Sequence, residues 1–448
     1  MPKKKEKKAY VLAVDMGYGH QRAAWPLRQL AYKNEIINAN SYKGIPKKDK
    51  KLWQKSRKGY EFISRFKNLP IIGEMAWKIF DKLQAIPPFY PKRDLSKPSL
   101  QTRSLYTLIK KRNWGKHLIN KLGQDPRPLI TTFFATAFMA EEYNYPGEIY
   151  CLGTDTDLSR AWAPLAPRSS RIKYLAPNPR CAKRLRLYGV KSENIFVTGF
   201  PLPESLVGGK KETTLKKELG YRLFSLDPKK AYLKNYEETV IKHLGRKNYP
   251  ERADHVLTLM FAVGGAGAQR KLGIKIVKSL KQPIKAGKIR VVLVAGIHND
   301  VNDYFKKNIQ SLELKNQLNK GIIIIHGRNK KEYFQKFNKI LIDTDILWTK
   351  PSELSFYTAL GLPIIMAPPI GSQELFNRRW LRTIGSGINQ EKPEHTAQWL
   401  FDWLNNGWLA EAAMEGFLEA STSGVSNIKK ILHSKETEIA KIKKVLRY

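Results

Sequence analysis

The chain has 448 residues, too many for one ordinary hydrophobic core, and its 42% hydrophobic content is enough to bury two cores. The formal net charge of +41 bears on partners rather than on fold, and it favours anionic partners such as phosphates, acidic lipid headgroups or nucleic acid. The two cysteines, Cys151 and Cys181, exclude a disulfide framework, so an intracellular location is the simplest expectation. The apolar runs fall short of the roughly 18 residues of a membrane span, and the run after the basic N-terminus is too short for a signal peptide.

The first half of the chain alternates short apolar strands with helices. A strand over 10–14 is followed by a glycine-containing turn and a helix, and the same rhythm returns from 128 to 201. The intervening segment, 41–125, is long, basic and aromatic, and we interpret it as an insertion. Such alternation predicts a doubly wound parallel sheet.

The pattern weakens over 206–253, which we interpret as a linker or insert between two domains. From 254 the strand, glycine turn and helix pattern begins again, with further strands predicted at 289–296, 321–327, 339–344 and 362–369. The segment 428–448 has apolar residues at helical spacing and predicts a terminal amphipathic helix. The predicted domains are therefore 1–205 and 254–427.

Two glycine-containing turns separate a strand from a helix, one in each half. The first turn contains Gly17 and Gly19, and the second contains Gly264, Gly265 and Gly267. Glycines let the backbone approach a ligand closely, and the amides at a helix N-terminus attract anions. His20 begins the first helix and is a candidate general base, with a helix-capping role as the alternative. The second turn lacks the Gly-Lys-Ser/Thr ending of a P-loop.

A polar block over 349–377, TKPSELSFYTALGLPIIMAPPIGSQELFN, is predicted to form a strand end, a turn, a short helix, an apolar strand and a loop. In an α/β protein, ligands bind at the carboxyl ends of the strands, where such loops gather. The candidate ligand-binding residues of this block are Lys350, Glu353, Gln373, Glu374 and Asn377. In the first half, the segment 152–162 places Asp155 after a predicted strand, where a carboxylate can act as a base or orient one.

Several motifs resemble one family when taken in order along the chain. GYGHQRAA, LGTDTDLSRAW, TGFP, the TKP turn, GLP and PxxxQExxN are similar to segments of the monogalactosyldiacylglycerol synthase and processive diacylglycerol glycosyltransferase group. The resemblance implies the GT-B architecture, in which two Rossmann-like doubly wound domains face each other across a cleft. It also implies an inverting glycosyltransferase that uses no metal and no cofactor. The expected donor is a UDP-sugar, and the expected acceptor is a lipid such as diacylglycerol.

The resemblance also implies roles for single residues. Gln373 and Glu374 would contact the donor sugar, the glycine turn at 264–267 would hold the diphosphate, and His20 or Asp155 would take the proton of the acceptor hydroxyl. Lys350 is the candidate for a position near the phosphates.

Two positions depart from the family pattern. Phe356 stands where the family has a glutamate that binds the nucleotide ribose, and Ser159 stands where it has a histidine. Glu353 is the candidate replacement for the glutamate. Two alternatives stay open: a nucleotide-sugar epimerase or hydrolase of the same fold, and a non-catalytic relative with impaired donor binding, which the departure at Phe356 suggests.

The basic insertion interleaves aromatic residues, among them Trp53, Phe66 and Trp77, with Lys and Arg. Helices of this composition lie in the bilayer interface, which predicts peripheral association with the inner face of the cell membrane through its anionic surface. Basic and aromatic residues also bind single-stranded nucleic acid, but the sequence shows no nucleic-acid-binding motif, so a nucleic-acid partner is not expected.

Overall fold

The structure is a computed structural model that describes residues 7–66, 86–262, 269–369 and 371–434, apart from the side chains of 57–66. The chain divides into two compact units, which we call unit 1 and unit 2. Unit 1 consists of Met1–Leu202, Ile370–Asn377 and Ser423–Tyr448, and unit 2 consists of Pro203–Pro369 and Arg378–Thr422.

Unit 1 is built on a six-stranded parallel sheet with the strand order β2-β1-β3-β4-β5-β6. Its strands are β1 (Ala9–Ala13), β2 (Ala31–Asn38), β3 (Leu129–Thr131), β4 (Ile149–Leu152), β5 (Lys173–Ala176) and β6 (Ile195–Val197). Every residue of β1, β3 and β4 is buried, as expected for parallel strands that are covered on both faces. The strand order reverses between β1 and β3, and such a switch point is where α/β proteins bind ligands.

Unit 2 is built on a second six-stranded parallel sheet with the order β12-β11-β10-β7-β8-β9. Its strands are β7 (Thr258–Ala262), β8 (Arg290–Gly296), β9 (Ile322–His326), β10 (Ile346–Thr349), β11 (Ile364–Met366) and β12 (Gly387–Asn389). This is the strand order of dinucleotide-binding Rossmann folds, and its switch point lies between β7 and β10. The predicted α/β class with two Rossmann-like, doubly wound units is confirmed.

Helices connect the strands of both sheets. In chain order they are α1 (Gly19–Ala24), α2 (Lys47–Phe66), α3 (Leu100–Arg112), α4 (Lys116–Gly123), α5 (Phe134–Glu142), α6 (Pro179–Leu187), α7 (Glu204–Val207), α8 (Thr213–Leu226), α9 (Leu233–Leu244), α10 (Arg270–Ser279), α11 (Lys281–Lys285), α12 (Asn299–Ser311), α13 (Lys330–Ile342), α14 (Ser372–Thr383), α15 (Thr396–Asn405), α16 (Trp408–Glu419) and α17 (Gly424–His433). Eight short 3₁₀ segments also occur among the described residues: Trp25–Leu30, Arg160–Trp162, Ser192–Asn194, Gly209–Lys211, Arg246–Asn248, Lys315–Gln317, Glu353–Leu360 and Pro393–His395.

Asparagine side chains cap the first turns of two of these helices, α6 and α13. The Asn178 side chain accepts a hydrogen bond from the backbone N–H of Cys181 at the start of α6, and Pro179 occupies the first helical position. At α13 the Asn329 side chain accepts from the N–H of Glu332. Both asparagines satisfy an N–H group that a helix otherwise leaves without an intrahelical partner.

The segment 206–253 differs from the predicted linker. It forms α8 and α9, and apolar side chains of both helices, including Leu219, Leu223 and Val240, lie in the core of unit 2. The two units divide between Leu202 and Pro203, close to the predicted boundary at 205. The strand predicted at 339–344 is wrong, because residues up to Ile342 end α13 and the strand begins at Ile346.

The predicted insertion, 41–125, contains α2, α3 and α4, and residues of all three helices belong to the core of unit 1. Within the predicted terminal helix, α17 ends at His433, and the rest of 428–448 lies outside the described residues. Among the residues that the structure describes, no helix is both long enough and apolar enough to cross a membrane.

Candidate functional site

His20 lies at the switch point of unit 1, between the ends of β1 and β3. Its Nδ1 atom is 2.7 Å from the backbone oxygen of Thr132, the residue that follows β3. A carbonyl oxygen only accepts hydrogen bonds, so Nδ1 carries the hydrogen, and in the neutral ring Nε2 is the basic nitrogen. The ring also packs edge-on against Phe133, with the centroids 5.0 Å apart. The tautomer and the position together suit a general base.

The turn before His20 requires glycine at one position. Gly17 has a φ angle of +98°, in the left-handed region that L side chains rarely adopt. A Cβ at Gly17 would meet no atom within 4 Å, so the backbone conformation and not crowding explains this glycine. Gly19 is the first residue of α1.

Asp155 lies in the loop after β4, and Asn377 holds that loop. The Asn377 side-chain oxygen accepts from the backbone N–H and from the hydroxyl of Thr156, both at 2.9 Å. Its Nδ2 atom donates to Asp155 Oδ1 at 3.1 Å. Asn377 is fully buried, and these residues all belong to unit 1. The sequence assigned Asn377 to the nucleotide sugar, and here its amide orients the Asp155 carboxylate.

The same loop is held from α6. Asn178 donates from Nδ2 to the oxygen of Thr156 at 2.9 Å, and the Cys181 thiol donates to the oxygen of Asp155 at 3.2 Å. Burial, and then the charges of Asp157 and Asp155, raise the pKa of the Cys181 thiol. The thiol therefore remains protonated and can donate at neutral pH. Cys151 and Cys181 are both buried, and no disulfide joins them.

Asp157, two residues beyond Asp155, is a structural carboxylate. Arg184 forms a two-pronged pair with it, Nε to Oδ1 at 2.8 Å and Nη2 to Oδ2 at 2.9 Å, and both side chains are buried. The Arg180 Nε atom adds a third contact at 3.1 Å. Paired guanidinium and carboxylate groups satisfy each other and fix the geometry of the loop. Asp155 and Asp157 are therefore close in sequence but differ in their partners.

Gln373 and Glu374 lie in the first turn of α14, and the first six residues of this helix belong to unit 1 together with His20 and Asp155. Glu374 is buried and Gln373 is half-buried. A carboxylate in the first turn of a helix is stabilised by the helix dipole.

The other predicted donor residues belong to unit 2. Lys350 directly follows β10 at the switch point, and Glu353 begins a 3₁₀ helix, Glu353–Leu360. Both side chains are half-buried. Phe356 is buried and its ring lies 5.4 Å from that of Trp380, so this position serves packing. The predicted diphosphate-binding glycines, Gly264, Gly265 and Gly267, lie outside the described residues.

Of the three aromatic residues predicted to contact the membrane, the structure describes the side chain of Trp53 alone. Trp53 is only 3% exposed, and its ring lies 4.6 Å from that of Trp114 in the core of unit 1. This burial does not fit the predicted membrane contact, because a tryptophan packed in the core is not available to a bilayer. The side chain of Phe66 and all of Trp77 lie outside the described part of the chain.

In 7–66, 86–262, 269–369 and 371–434 no group of three or more His, Cys, Asp or Glu side chains is arranged to hold a metal ion.

The sequence did not indicate the residues that position the candidate base and carboxylate. Asn178 could have been found, because an asparagine before proline is a signal for a helix start. Asn377 and Thr156 are more than two hundred residues apart, and the Thr132 contact of His20 uses a backbone atom. Such long-range contacts leave no local pattern.

Comparisons with known proteins give a family match and several weak structural similarities. Residues 233–427 match a family described as "Domain of unknown function (DUF6938)". The search of curated proteins returned no match.

Among solved structures, the chain is similar to a co-structure of S. aureus MnaA with UDP, at 14% identity and a TM-score of 0.47, with 94% of this chain and 95% of that chain covered. It is also similar to the UDP-GlcNAc 2-epimerase from Neisseria meningitidis bound to UDP-GlcNAc, at 13% identity and a TM-score of 0.41, with 80% and 86% covered. A third similar structure is a glycosyltransferase from Rickettsia africae, at 14% identity and a TM-score of 0.39, with 95% and 98% covered.

Proposed function

We propose that the protein is an inverting glycosyltransferase that moves a sugar from a nucleotide diphosphate sugar, with UDP-sugar as the expected donor, to a hydroxyl group of a lipid. The observation that carries the proposal is the position of His20 at a switch point, with Nδ1 held by the Thr132 oxygen. The motifs that resemble the diacylglycerol glycosyltransferases supply the choice of donor and acceptor.

In the proposed reaction, Nε2 of His20 accepts the proton of the acceptor hydroxyl. The hydroxyl oxygen forms a bond to the anomeric carbon of the sugar while the bond from that carbon to the diphosphate oxygen breaks. The electron pair of the broken bond leaves with the diphosphate. Asp155, oriented by Asn377, is the second candidate for the base or for its orientation.

On the donor side, Gln373 and Glu374 are proposed to bind sugar hydroxyls, and Lys350 and the glycine turn at 264–267 are proposed to bind the diphosphate. Backbone amides and a helix dipole stabilise a leaving diphosphate without a metal ion or a cofactor. Glu353 is proposed to replace the family's ribose-binding glutamate, because this chain has Phe356 at that glutamate's position.

A lipid acceptor requires contact with a membrane, which we propose to be the anionic inner face of the cell membrane. The support is the net charge of +41 and the exposed basic side chains at the end of α3, Lys110, Lys111 and Arg112. Each basic residue near an anionic surface contributes on the order of 1 kcal/mol.

The decisive experiment incubates the protein with a panel of radiolabelled nucleotide sugars and a lipid extract in vesicles that contain acidic lipid. We expect labelled product in the organic phase with at least one donor. Label that appears only in altered nucleotide sugar or in free sugar, and does so without lipid, would instead support an epimerase or hydrolase. A protein that neither turns over a donor nor binds UDP in calorimetry would contradict both enzymes.

His20→Ala should lower kcat/KM by about 10²- to 10⁴-fold and leave donor affinity nearly unchanged, because the base acts on the acceptor. Steady-state kinetics and calorimetry with UDP measure the two quantities. His433→Ala is the matched control, since the His433 Nδ1 atom makes the same 2.7 Å contact with a backbone oxygen, that of Lys429, on an exposed helix end. If His20→Ala abolishes donor binding instead, the assignment of His20 is wrong.

A further inference from the structure

One side of α16 is apolar and acidic in a strongly basic chain. Residues 393–428 contain no Lys or Arg. On α16, Trp408 is 49% exposed and Leu418 is 42% exposed. Glu411 and Glu415 lie between them at helical spacing, and Glu411 is exposed while Glu415 is half-buried. Positions 408, 411, 415 and 418 share one side of a helix.

Helix α9 extends this side with aromatic rings. Tyr236 is 50% exposed and stacks on Tyr232, with the centroids 4.7 Å apart. Tyr232 adjoins the start of α16, because a Cβ at Gly407 would lie 2.8 Å from the Tyr232 Cβ atom. Burial, and then the charges of Glu415 and Glu411, raise the pKa of Tyr232 to about 12, as expected when both carboxylates are near the ring. We call Tyr232, Tyr236, Trp408, Glu411, Glu415 and Leu418 the acidic-aromatic face.

The chemistry of this face matches that of a basic partner. Large apolar side chains that are exposed together mark interaction surfaces. Aromatic faces attract the ammonium group of Lys and the guanidinium group of Arg, and neighbouring carboxylates pair with the same groups. A Lys-rich or Arg-rich protein surface would satisfy the rings and the carboxylates together.

The chain itself carries such a surface. The first turns of α2 expose Lys47, Lys48, Lys50 and Lys51, which we call the lysine cluster. We propose that the acidic-aromatic face of one copy binds the lysine cluster of a second copy. Pairing of two identical faces is disfavoured, because it would bring Glu411 and Glu415 against their own copies. A contact between two different surfaces adds copies head to tail.

The net charge sets the conditions for this association. Two chains of +41 repel each other at long range, but at about 0.15 M salt charges are screened beyond about 8 Å. The local attraction between the face and the lysine cluster acts within that distance. Association should therefore be measurable near physiological ionic strength and weaken at about 1 M salt, where the screening length is about 3 Å.

Sedimentation velocity of the full chain, without lipid, over about a hundredfold range of protein concentration tests the proposal. The mean sedimentation coefficient should rise with concentration. The double variant Glu411→Lys, Glu415→Lys should weaken association at least about tenfold, because it opposes like charges. Lys50→Glu with Lys51→Glu should do the same. Trp408→Ala should also weaken it, since exposed tryptophans dominate many interfaces.

Charge exchange gives the sharpest outcome. The variant with all four charge reversals should associate more strongly than either double variant, because the two glutamates introduced into the cluster then meet the two lysines introduced into the face. Glu251→Lys and Lys306→Glu, at exposed positions outside both surfaces, are the controls and should leave association unchanged. Circular dichroism and the melting temperature confirm that each variant is folded. A single species at every concentration, a double reversal that associates like the unaltered chain, or a fourfold variant that associates no more strongly than the double variants would overturn the proposal.

Discussion

Asn377 connects two sequence-distant parts of the candidate site through a single buried amide. Its oxygen accepts two hydrogen bonds from Thr156, and its nitrogen donates one to Asp155. An amide can make both kinds of bond, but a carboxylate only accepts when it is ionised. The position therefore distinguishes asparagine from aspartate, although the two have nearly the same shape.

Asn377→Asp should lower the denaturant midpoint of unfolding more at pH 7 than at pH 4. At pH 7 two carboxylates would face each other about 3 Å apart, whereas at lower pH one of them binds a proton and can donate to the other. Unfolding curves at the two pH values measure the difference. Asn235→Asp, at an exposed asparagine on α9, is the control and should show no such pH dependence. Equal destabilisation of Asn377→Asp at both pH values would contradict the contact with Asp155.

His255 lies between two carboxylates at the start of the unit 2 sheet. Its Nδ1 atom is 2.5 Å from Asp254 Oδ1, and its Nε2 atom is 3.2 Å from both oxygens of Asp345. Asp345 is fully buried and also accepts from the N–H of Thr258. The hydrogen bond to Asp345 is the largest cause that raises the pKa of His255, to about 9, against the opposing effect of burial.

The raised pKa of His255 predicts a loss of stability in mildly alkaline solution. The folded pKa of about 9 lies above the ordinary value of 6.5, so the stabilisation is complete below about pH 6.5 and is lost as the pH rises to about 9. The loss should be on the order of 3 kcal/mol. Denaturant unfolding from pH 6 to pH 10 measures it. His255→Gln should flatten the profile in this range, while His243→Gln, at an exposed histidine, should leave it unchanged. A profile that His255→Gln does not alter would contradict the ion pair.

Helix α9 shows why the segment between the two sheets is part of a core and not a linker. Asp227 is buried, and its carboxylate accepts from the backbone N–H groups of Ala231, Tyr232 and Leu233 as the helix begins. The carboxylate satisfies groups that a helix start otherwise leaves without partners. A flexible linker does not require such a cap, because it has no helix start to stabilise.

Asp227→Ala should lower the free energy of unfolding by about 2 kcal/mol, because a helix cap and three charge-assisted hydrogen bonds are lost. Thermal and denaturant unfolding measure the change. Asp402→Ala, at an exposed aspartate within α15, is the control and should change stability by less than about 0.5 kcal/mol. If Asp227→Ala behaves like the control, α9 does not depend on this cap.

The strands were predictable and some neighbouring elements were not, for identifiable reasons. Strand β8, RVVLVAG, is a continuous apolar run because both faces of a parallel sheet are covered. Ile340, Leu341 and Ile342 form an equally apolar run at the end of α13, and periodicity over so short a run cannot separate a helix from a strand. Polar residues over 206–253 concealed α8 and α9, whose buried apolar side chains lie at helical spacing.

Some features of the candidate site could also be predicted from the sequence, and others could not. His20 could be proposed because a glycine turn and a helix start surround it in the sequence, and its contact with the Thr132 oxygen fixes the position of the ring. Trp53 was misjudged because interleaved aromatic and basic residues describe a core helix with a solvated side as well as an interfacial helix. The partners of Asp155 come from α6 and α14, so only the folded chain brings them together.

The whole molecule is basic, but its charge is not evenly distributed. The chain has 80 Lys and Arg residues against 39 Asp and Glu residues, and yet 393–428 is free of Lys and Arg. Like charges keep the chains apart in solution, and a local region of opposite charge allows them to associate at one surface. The composition alone suggested only anionic partners, because a sum over the chain hides such a region.

Unit 1 combines residues before Pro203 with residues that are far along the chain, from Ser423 onward. Asn427 in α17 donates to the oxygen of Thr198, and a Cβ at Gly424 would lie 2.2 Å from the oxygen of Phe200. During synthesis at about 5–20 residues per second, the ribosome needs on the order of ten to forty seconds to proceed from Leu202 to Ser423. A nascent chain therefore carries unit 1 without α17 while unit 2 is being synthesised. Chaperones have that interval in which to bind the surface that α17 later covers.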